Sequence, residues 1–315
     1  TRGDAVAIMR EGLESSSARE MLEQAEELFG SLADATTLVW WARDLRSGRM
    51  MYVSPGFEGL WELPCEELYR RPSAWLDRIH PDDRPRVTAQ FGAIPQTGKA
   101  EEAYRLVLPS GKRRWIRDRR VLMHRGSEPS HIAGLAEDIT EARTAQIRLA
   151  VQHMVIKILA DAGSPEECFP RVLEAMADPL EWSAAGLWLV DPERNVLRCA
   201  AFWRQPAAEL NLFEDATKHK ELAPGDSLAG RAWSTGAPAF ETAVAADPHY
   251  RMQAAACGIK SAAAFPIVDG RKVIGVLEFA GSDAGIPEAE LQRSVTALAR
   301  QIGLWVERHR ADEEA

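Results

Sequence analysis

Cysteine is scarce and scattered in this chain. Cys65, Cys168, Cys199 and Cys257 form no CxxC pair and no CxxH spacing, which argues against structural zinc and against a disulfide scaffold and fits a reducing cytoplasm. No apolar run approaches the roughly 18 residues that span a bilayer, and no signal-peptide core is present, so no membrane span is expected and the location is read as cytoplasmic. Basic side chains are outnumbered, 38 Lys+Arg against 47 Asp+Glu, for a net charge of −9. Nucleic acid and anionic lipid surfaces are therefore poor partners. Catalytic signatures are missing too: there is no GxxxxGK[ST] loop, no GxGxxG after a strand, no HExxH and no EF-hand loop. Gly225 to Gly230 is one residue off the GxSxG elbow and follows a loop instead of a strand. None of the seven histidines lies three to five residues from another His or Cys. Neither an enzyme nor a metal site is expected within these residues.

What is present is ordinary globular material, 46% hydrophobic and 27% charged over 315 residues, enough for two domains. Thr1 in place of Met, and a charged helical pattern broken off at Ala315, are read as the ends of a piece of a longer polypeptide. In residues 1–35, Met21, Ala25, Leu28 and Leu32 fall on one face of an amphipathic helix. From residue 36 the texture changes to short β-like runs, aromatics and turns, with helix starts expected at Ser54-Pro55 and at His80-Pro81-Asp82-Asp83. Pro109-Ser110-Gly111 marks a hairpin turn. At Asp138 the pattern switches to helix, with Asp138 expected to accept from the backbone of Glu141 in a capping box.

The connecting helix, 141–161, carries two apolar stripes, Ile147, Val151, Met154 and Ile158 on one and Leu149, Ile156 and Leu159 on the other. Two stripes imply two packing partners, the following domain and a second copy of the chain; burial between domains is the alternative. Residues 162–286 open on Ser164-Pro165-Glu166-Glu167, a second capping box, and run through strands at Ala184 to Val190, Val196 to Trp203, Ser261 to Val268 and Lys272 to Ala280. In 287–315, Leu291, Val295, Leu298, Ile302 and Trp305 form a heptad seam assigned to dimerisation along with Leu149 and Ile156. The basic cluster of Lys112, Arg113, Arg114, Arg117, Arg119 and Arg120 around Trp115 would be split between two faces of a strand, which suits pairing with acidic helix residues better than a nucleic-acid groove.

Residues 36–140 resemble a PAS domain. The resemblance rests on Tyr52 to Trp61, Glu66 to Pro72, Trp75 to Arg84, Tyr104 to Leu106, Ser110 to Ile116 and Gly134 to Glu141. It departs at Glu62, where this branch of the family usually has Gly, and the expectation is a stiffened or charged helix rim. Residues 162–286 with their flanks resemble a GAF domain through Gly225 to Gly230, Gly236, Asp247, Ser261 to Ile267 and Val273 to Phe279. The resemblance implies an α+β fold, tandem domains that are each an antiparallel sheet with flanking helices and are joined by long signalling helices. It implies ligand pockets between sheet and cover, with candidate linings Trp41, Tyr52, Phe57, Trp61, Trp75 and Tyr104 in the first domain and Trp188, Trp203, Trp233 and Phe240 in the second. Asp138, Ile139 and Thr140 stand where such domains hand over to a signalling helix.

The pairing of domains is similar to that of bacterial sensor histidine kinases and diguanylate cyclases. The chain is accordingly expected to be a sensory input module that forms a parallel homodimer and acts on an effector beyond Ala315. No Asn-Cys-Arg setting for a flavin, no His in residues 82–96 for haem, and no Cys-His pair for a bilin is present. No covalently bound cofactor is expected and the ligand stays unidentified. A chromophore or redox sensor and a ligand-free transmission module remain the alternatives.

Overall fold

The computed structural model describes residues 38–206, 210–244, 256–270, 272–282 and 289–314. The expected helix over residues 1–35 and Asp247 lie outside them. The chain divides into two units, Thr1–Thr144 and Ala145–Ala315.

In the first unit, strands β1 (Leu38–Asp44), β2 (Met50–Val53), β3 (Lys99–Val107), β4 (Arg113–Arg125) and β5 (Glu128–Asp138) form an antiparallel sheet in the order β2-β1-β5-β4-β3. Between β2 and β3 lie α1 (Gly56–Trp61), α2 (Cys65–Arg70), a 3-10 turn (Ala74–Arg78) and α3 (Arg84–Thr97). Period-2 alternation decides which side chains enter the core: Tyr104 and Leu106 from β3, Ile116, Asp118, Arg120 and Leu122 from β4, Ile132 and Ala136 from β5 are all buried.

Local chemistry departs from expectation at several points. Ser54 caps no helix; its buried hydroxyl accepts the Trp40 amide (3.0 Å), and the residue before α1 is Pro55. α3 starts at Arg84 instead of Pro81, because Asp83 is drawn to β3, where it takes the Arg105 backbone N–H (2.8 Å) and guanidinium (2.9 Å). Glu62 sits at the end of α1 with φ 49°, a left-handed conformation in which glycine carries no Cβ penalty. Its carboxylate compensates by accepting from the backbone N–H (3.1 Å) and hydroxyl (2.7 Å) of Ser110. The basic cluster pairs with strand residues where helix residues were expected: Arg117 with Glu137 (2.8 Å) on β5, Arg119 with Glu101 (3.0 Å) and Arg120 with Glu102 (3.4 Å) on β3, and Arg120 with Asp118 (3.0 Å) on β4 itself.

The first sheet ends in a tied junction with helix α4 (Thr140–Asp161). The Ile139 amide donates to the Trp115 carbonyl (2.8 Å), and the Trp115 amide donates to the Thr140 hydroxyl (2.8 Å). Asp138 accepts from the amide and hydroxyl of Thr140, not from Glu141 as the capping box required. The Arg143 guanidinium lies 3.7 Å from the centre of the Trp115 ring.

In the second unit the order is β8-β7-β6-β11-β10-β9, again antiparallel, from β6 (Ala184–Asp191), β7 (Val196–Arg204), β8 (Glu221–Leu222), β9 (Ala239–Glu241), β10 (Ser261–Asp269) and β11 (Lys272–Gly281). Both faces are buried, which explains why β10 and β11 read as nearly continuous apolar runs. Pro266 sits in β10 just past Ala264, where pairing with β9 ends, so its missing N–H is not needed there. One face packs against α4, α5 (Pro165–Ala177) and α8 (Ala289–Glu314) through Val155, Leu173, Phe265, Phe279 and Ile302. The other packs against α6 (Asn211–Lys218) and α7 (Ser227–Thr235) through Trp188, Phe213, Leu228 and Val276. Ser164 caps α5 as expected, accepting from the Glu167 amide (3.4 Å).

The seam on α8 is not a dimer surface. Val295, Leu298 and Ile302 are at most 4% exposed in the core of their own unit, and Leu291 and Trp305 pack against the same core, Trp305 edge-on to Phe169 at 5.9 Å. A helical stripe of apolar residues records that something covers it, and here the cover is the sheet and α5. Leu149 and Ile156 on α4 differ, being 66% and 55% exposed. Within this unit α4 and α8 run side by side in the same direction: Arg148 pairs with Glu290 near their starts, and His309 Nε2 donates to the Gly163 carbonyl (3.0 Å) near their ends.

Candidate functional site

The first unit holds a cavity of ≈ 410 Å³, part of it open to solvent at its mouth, between β1 and the helical cover. Val39, Trp41 and Arg43 line it from alternate positions of β1; Phe57, Trp61, Leu68, Trp75 and Phe91 line it from the cover, and Tyr104 and Asp118 from the sheet. Five of the six expected residues meet here. Tyr52 does not, since it pairs with Ala42 and points with it to the other face. The rings form an ordered set, with Phe57 stacked on Trp61 at 4.8 Å, Trp41 on Phe91 at 5.9 Å, and Trp75 tilted against both Phe91 (5.7 Å) and Tyr104 (6.2 Å).

Behind the rings lies a buried polar cluster. Asp118 accepts from Tyr104 Oη (3.3 Å), Trp41 Nε1 (3.4 Å) and Arg120 Nε (3.0 Å); Arg120 also pairs with Glu102 (3.4 Å), which pairs outward with Arg86 (2.5 Å). Burial pushes the carboxyls of Asp118 and Glu102 up against the opposing pull of Arg120, and pushes the Tyr104 hydroxyl well up. Burial works to lower Arg120, but the charge of Asp118 outweighs it and the guanidinium is held above its ordinary value. Removing one member of such a cluster strands its partner, typically at about 3–5 kcal/mol. Inward charges on β4, at Asp118 and Arg120 between Ile116 and Leu122, were the signal for this cluster in the sequence.

The second unit holds a cavity of similar size on the α6 and α7 side, lined by Gly186, Phe202, Phe213, Thr217, Leu228, Val244 and the carboxylates Glu241 and Glu278. None of the four expected residues lines it. Trp188 is buried beside it and donates through Nε1 to Glu278 (2.9 Å). Trp203 and Phe240 face the opposite layer with α4, α5 and α8, and Trp233 borders a separate open depression with Asn195, Gly236 and Lys272. Glu278 was legible as the lone charge in Val276-Leu277-Glu278-Phe279-Ala280, a strand otherwise apolar on both faces.

Thiol chemistry finds little support. Burial pushes Cys65 and Cys168 up to about 11 and Cys199 up to about 12, which leaves these three as thiols at neutral pH. Among the described residues no group of three or more His, Cys, Asp and Glu could hold a metal ion, and no helix is long and apolar enough to cross a membrane.

Comparison with known proteins agrees with this geometry. The family profile described as a PAS fold matches residues 50–136, and the one described as a GAF domain matches residues 162–307. The two-component sensor PprA of Pseudomonas aeruginosa is 25% identical over 208 residues, covering 64% of this chain but only 22% of that protein. This chain thus spans about a fifth of that relative's length. Among solved structures, similarity extends to the GAF domain of a phosphoenolpyruvate-protein phosphotransferase from Coxiella burnetii (17% identity, 54% of this chain and 99% of that one, TM-score 0.47). It also extends to a sensory box histidine kinase/response regulator from Burkholderia thailandensis (27% identity, 41% of this chain and 97% of that one, TM-score 0.34).

Proposed function

Because this chain is a PAS fold followed by a GAF domain, we propose that it is the sensory input section of a bacterial signal-transduction protein. A small molecule held in one of the two pockets shifts the population of α4 and α8 arrangements, and these helices pass the change to an effector outside the 315 residues, a histidine kinase or a diguanylate cyclase. The observation that carries this reading is the junction at Asp138-Ile139-Thr140. There β4, whose inward side chains reach the first cavity, is hydrogen-bonded through Trp115 to the first turn of α4. The exposed pair Leu149 and Ile156 gives α4 an apolar face for a second copy in a parallel homodimer.

The test is hydrogen exchange on the purified chain, with and without a small molecule selected by melting shift. Altered protection in residues 140–161 or 289–314 is expected. Saturating ligand with no change in either helix would count against transmission through them.

A further inference from the structure

A sheet face that meets solvent ordinarily carries polar side chains, and the outer face of the first sheet departs from that. The strand register puts Ala42 of β1, Ala133 of β5 and Val121 of β4 in one row across it, with Trp40, Leu135 and Met123 in the rows on either side. Trp40 is 42% exposed, Val121 45% and Met123 40%, while Ala42, Ala133 and Leu135 are half-buried. This apolar band crosses three adjacent strands, about 10 Å, which is the width of one helix. Charge borders it on the same face, Lys99, Arg113, Arg117 and Arg119 against Glu101 and Glu137.

The chain itself supplies a segment that suits the band. Residues 1–37 lie outside the described residues and lead directly into β1, the strand that carries Trp40 and Ala42. In that stretch Met21, Leu22, Ala25, Leu28, Phe29 and Leu32 share one side of a helical repeat. Their stripe is wider than the two-position seam of a coiled coil, which suits a sheet better than a single partner helix. Arg19 is outnumbered by Glu20, Glu23, Glu26, Glu27 and Asp34, so the segment is acidic where the border of the band is basic. The link from Leu32 to Leu38 reaches up to about 20 Å, enough to turn back onto the sheet.

We propose that residues 18–35 dock as a helix on this outer face of their own domain. The stripe from Met21 to Leu32 lies against Trp40, Leu135 and Val121, and the acidic side chains lie toward the basic border. The polypeptide that enters β1 thereby covers the face β1 helps to build.

Hydroxyl-radical footprinting of the whole chain, read by mass spectrometry, tests this. Trp40 and Met123 report on the face and Met21 on the segment; Trp61, 3% exposed, reports on unfolding of the same unit. Leu28→Glu with Phe29→Glu is expected to raise oxidation of Trp40 and Met123 by about threefold or more while Trp61 stays protected. Val121→Glu, a change at an exposed position, is expected to raise oxidation of Met21 in the same way, and it keeps the test decisive if the first pair of changes unfolds the domain. Diluting the parent from about 100 to 1 µM should alter none of these rates, because a contact within one chain does not depend on concentration. Equal oxidation of Trp40 and Met123 in the parent and the folded segment variant overturns the proposal, as does a Val121→Glu chain in which Met21 is unchanged. Protection that fades on dilution overturns it too, and assigns the face to a second copy.

Discussion

The indole of Trp41 lies against the backbone of Gly134 so closely that a Cβ on Gly134 would fall 2.2 Å from the ring. The two residues are cross-strand partners on β1 and β5, and the absent side chain of one makes room for the large side chain of the other at the cavity wall. Gly134→Ala should therefore cost about 1–3 kcal/mol through overpacking and push the indole into the cavity. Urea unfolding reads the first effect and ligand titration the second. An unchanged midpoint would mean that the ring can yield without cost.

Asp83 gives a pH dependence whose sign is determined. Its burial would raise the carboxyl, but hydrogen bonds from Arg105 outweigh that and hold it below its ordinary value of 3.8. A carboxyl lowered by folding adds stability above the ordinary value, and that stability is lost as pH falls through the folded value. Asp83→Asn should cost about 1–3 kcal/mol at pH 7. Melting curves of parent and variant should draw together as pH falls from 3.8 through the folded value below it; a constant gap would assign the effect to shape instead of charge.

Thr140 ties the first sheet to α4 by accepting the Trp115 N–H. Thr140→Val keeps the volume and removes the acceptor, at a cost of about 1 kcal/mol. Faster hydrogen exchange is expected at residue 115 and in the first turn of α4. Protection unchanged at both places would show the bond to be dispensable.

The two apolar stripes on the long helices predict opposite mutant behaviour. Leu149→Glu with Ile156→Glu should leave the melting temperature nearly unchanged and shift sedimentation toward monomer. Ile302→Ala should cost about 2–5 kcal/mol as a core truncation and leave association alone. A charged pair on α4 that leaves a dimer intact would place the interface elsewhere.

How much a pattern of residues reveals depends on its kind. A period of two is enough by itself to put Ile116, Asp118, Arg120 and Leu122 on one face of β4, and all four are buried together. The hairpins at Gly111 and Gly270 follow in the same way from turn chemistry. Cover was not legible. Val295, Leu298 and Ile302 have the spacing of a coiled-coil seam, and that spacing is identical whether the partner is a second helix or the sheet of the same unit. The same ambiguity assigned Trp203 and Phe240 to the second cavity, because both faces of that sheet are buried and an aromatic residue is equally at home on either. Polar exceptions, which the reading passed over, would have been the better guide. Arg43, Asp118 and Glu278 stand at inward positions where burial is costly, and each lines a cavity.

The side-by-side, same-direction course of α4 and α8 has a topological result. An even number of reversals separates the two helices, so the polypeptide leaves the second unit travelling the way it came in. On the transmission proposed above, such a unit would act as an in-line link in a shaft, a twist or thrust along α4 reaching α8 with its sense preserved. On that proposal, whole-heptad insertions after residue 314 keep the rotational phase of a helical continuation, whereas inserting three or four residues turns it by roughly 50°, in opposite senses, relative to a seven-residue repeat.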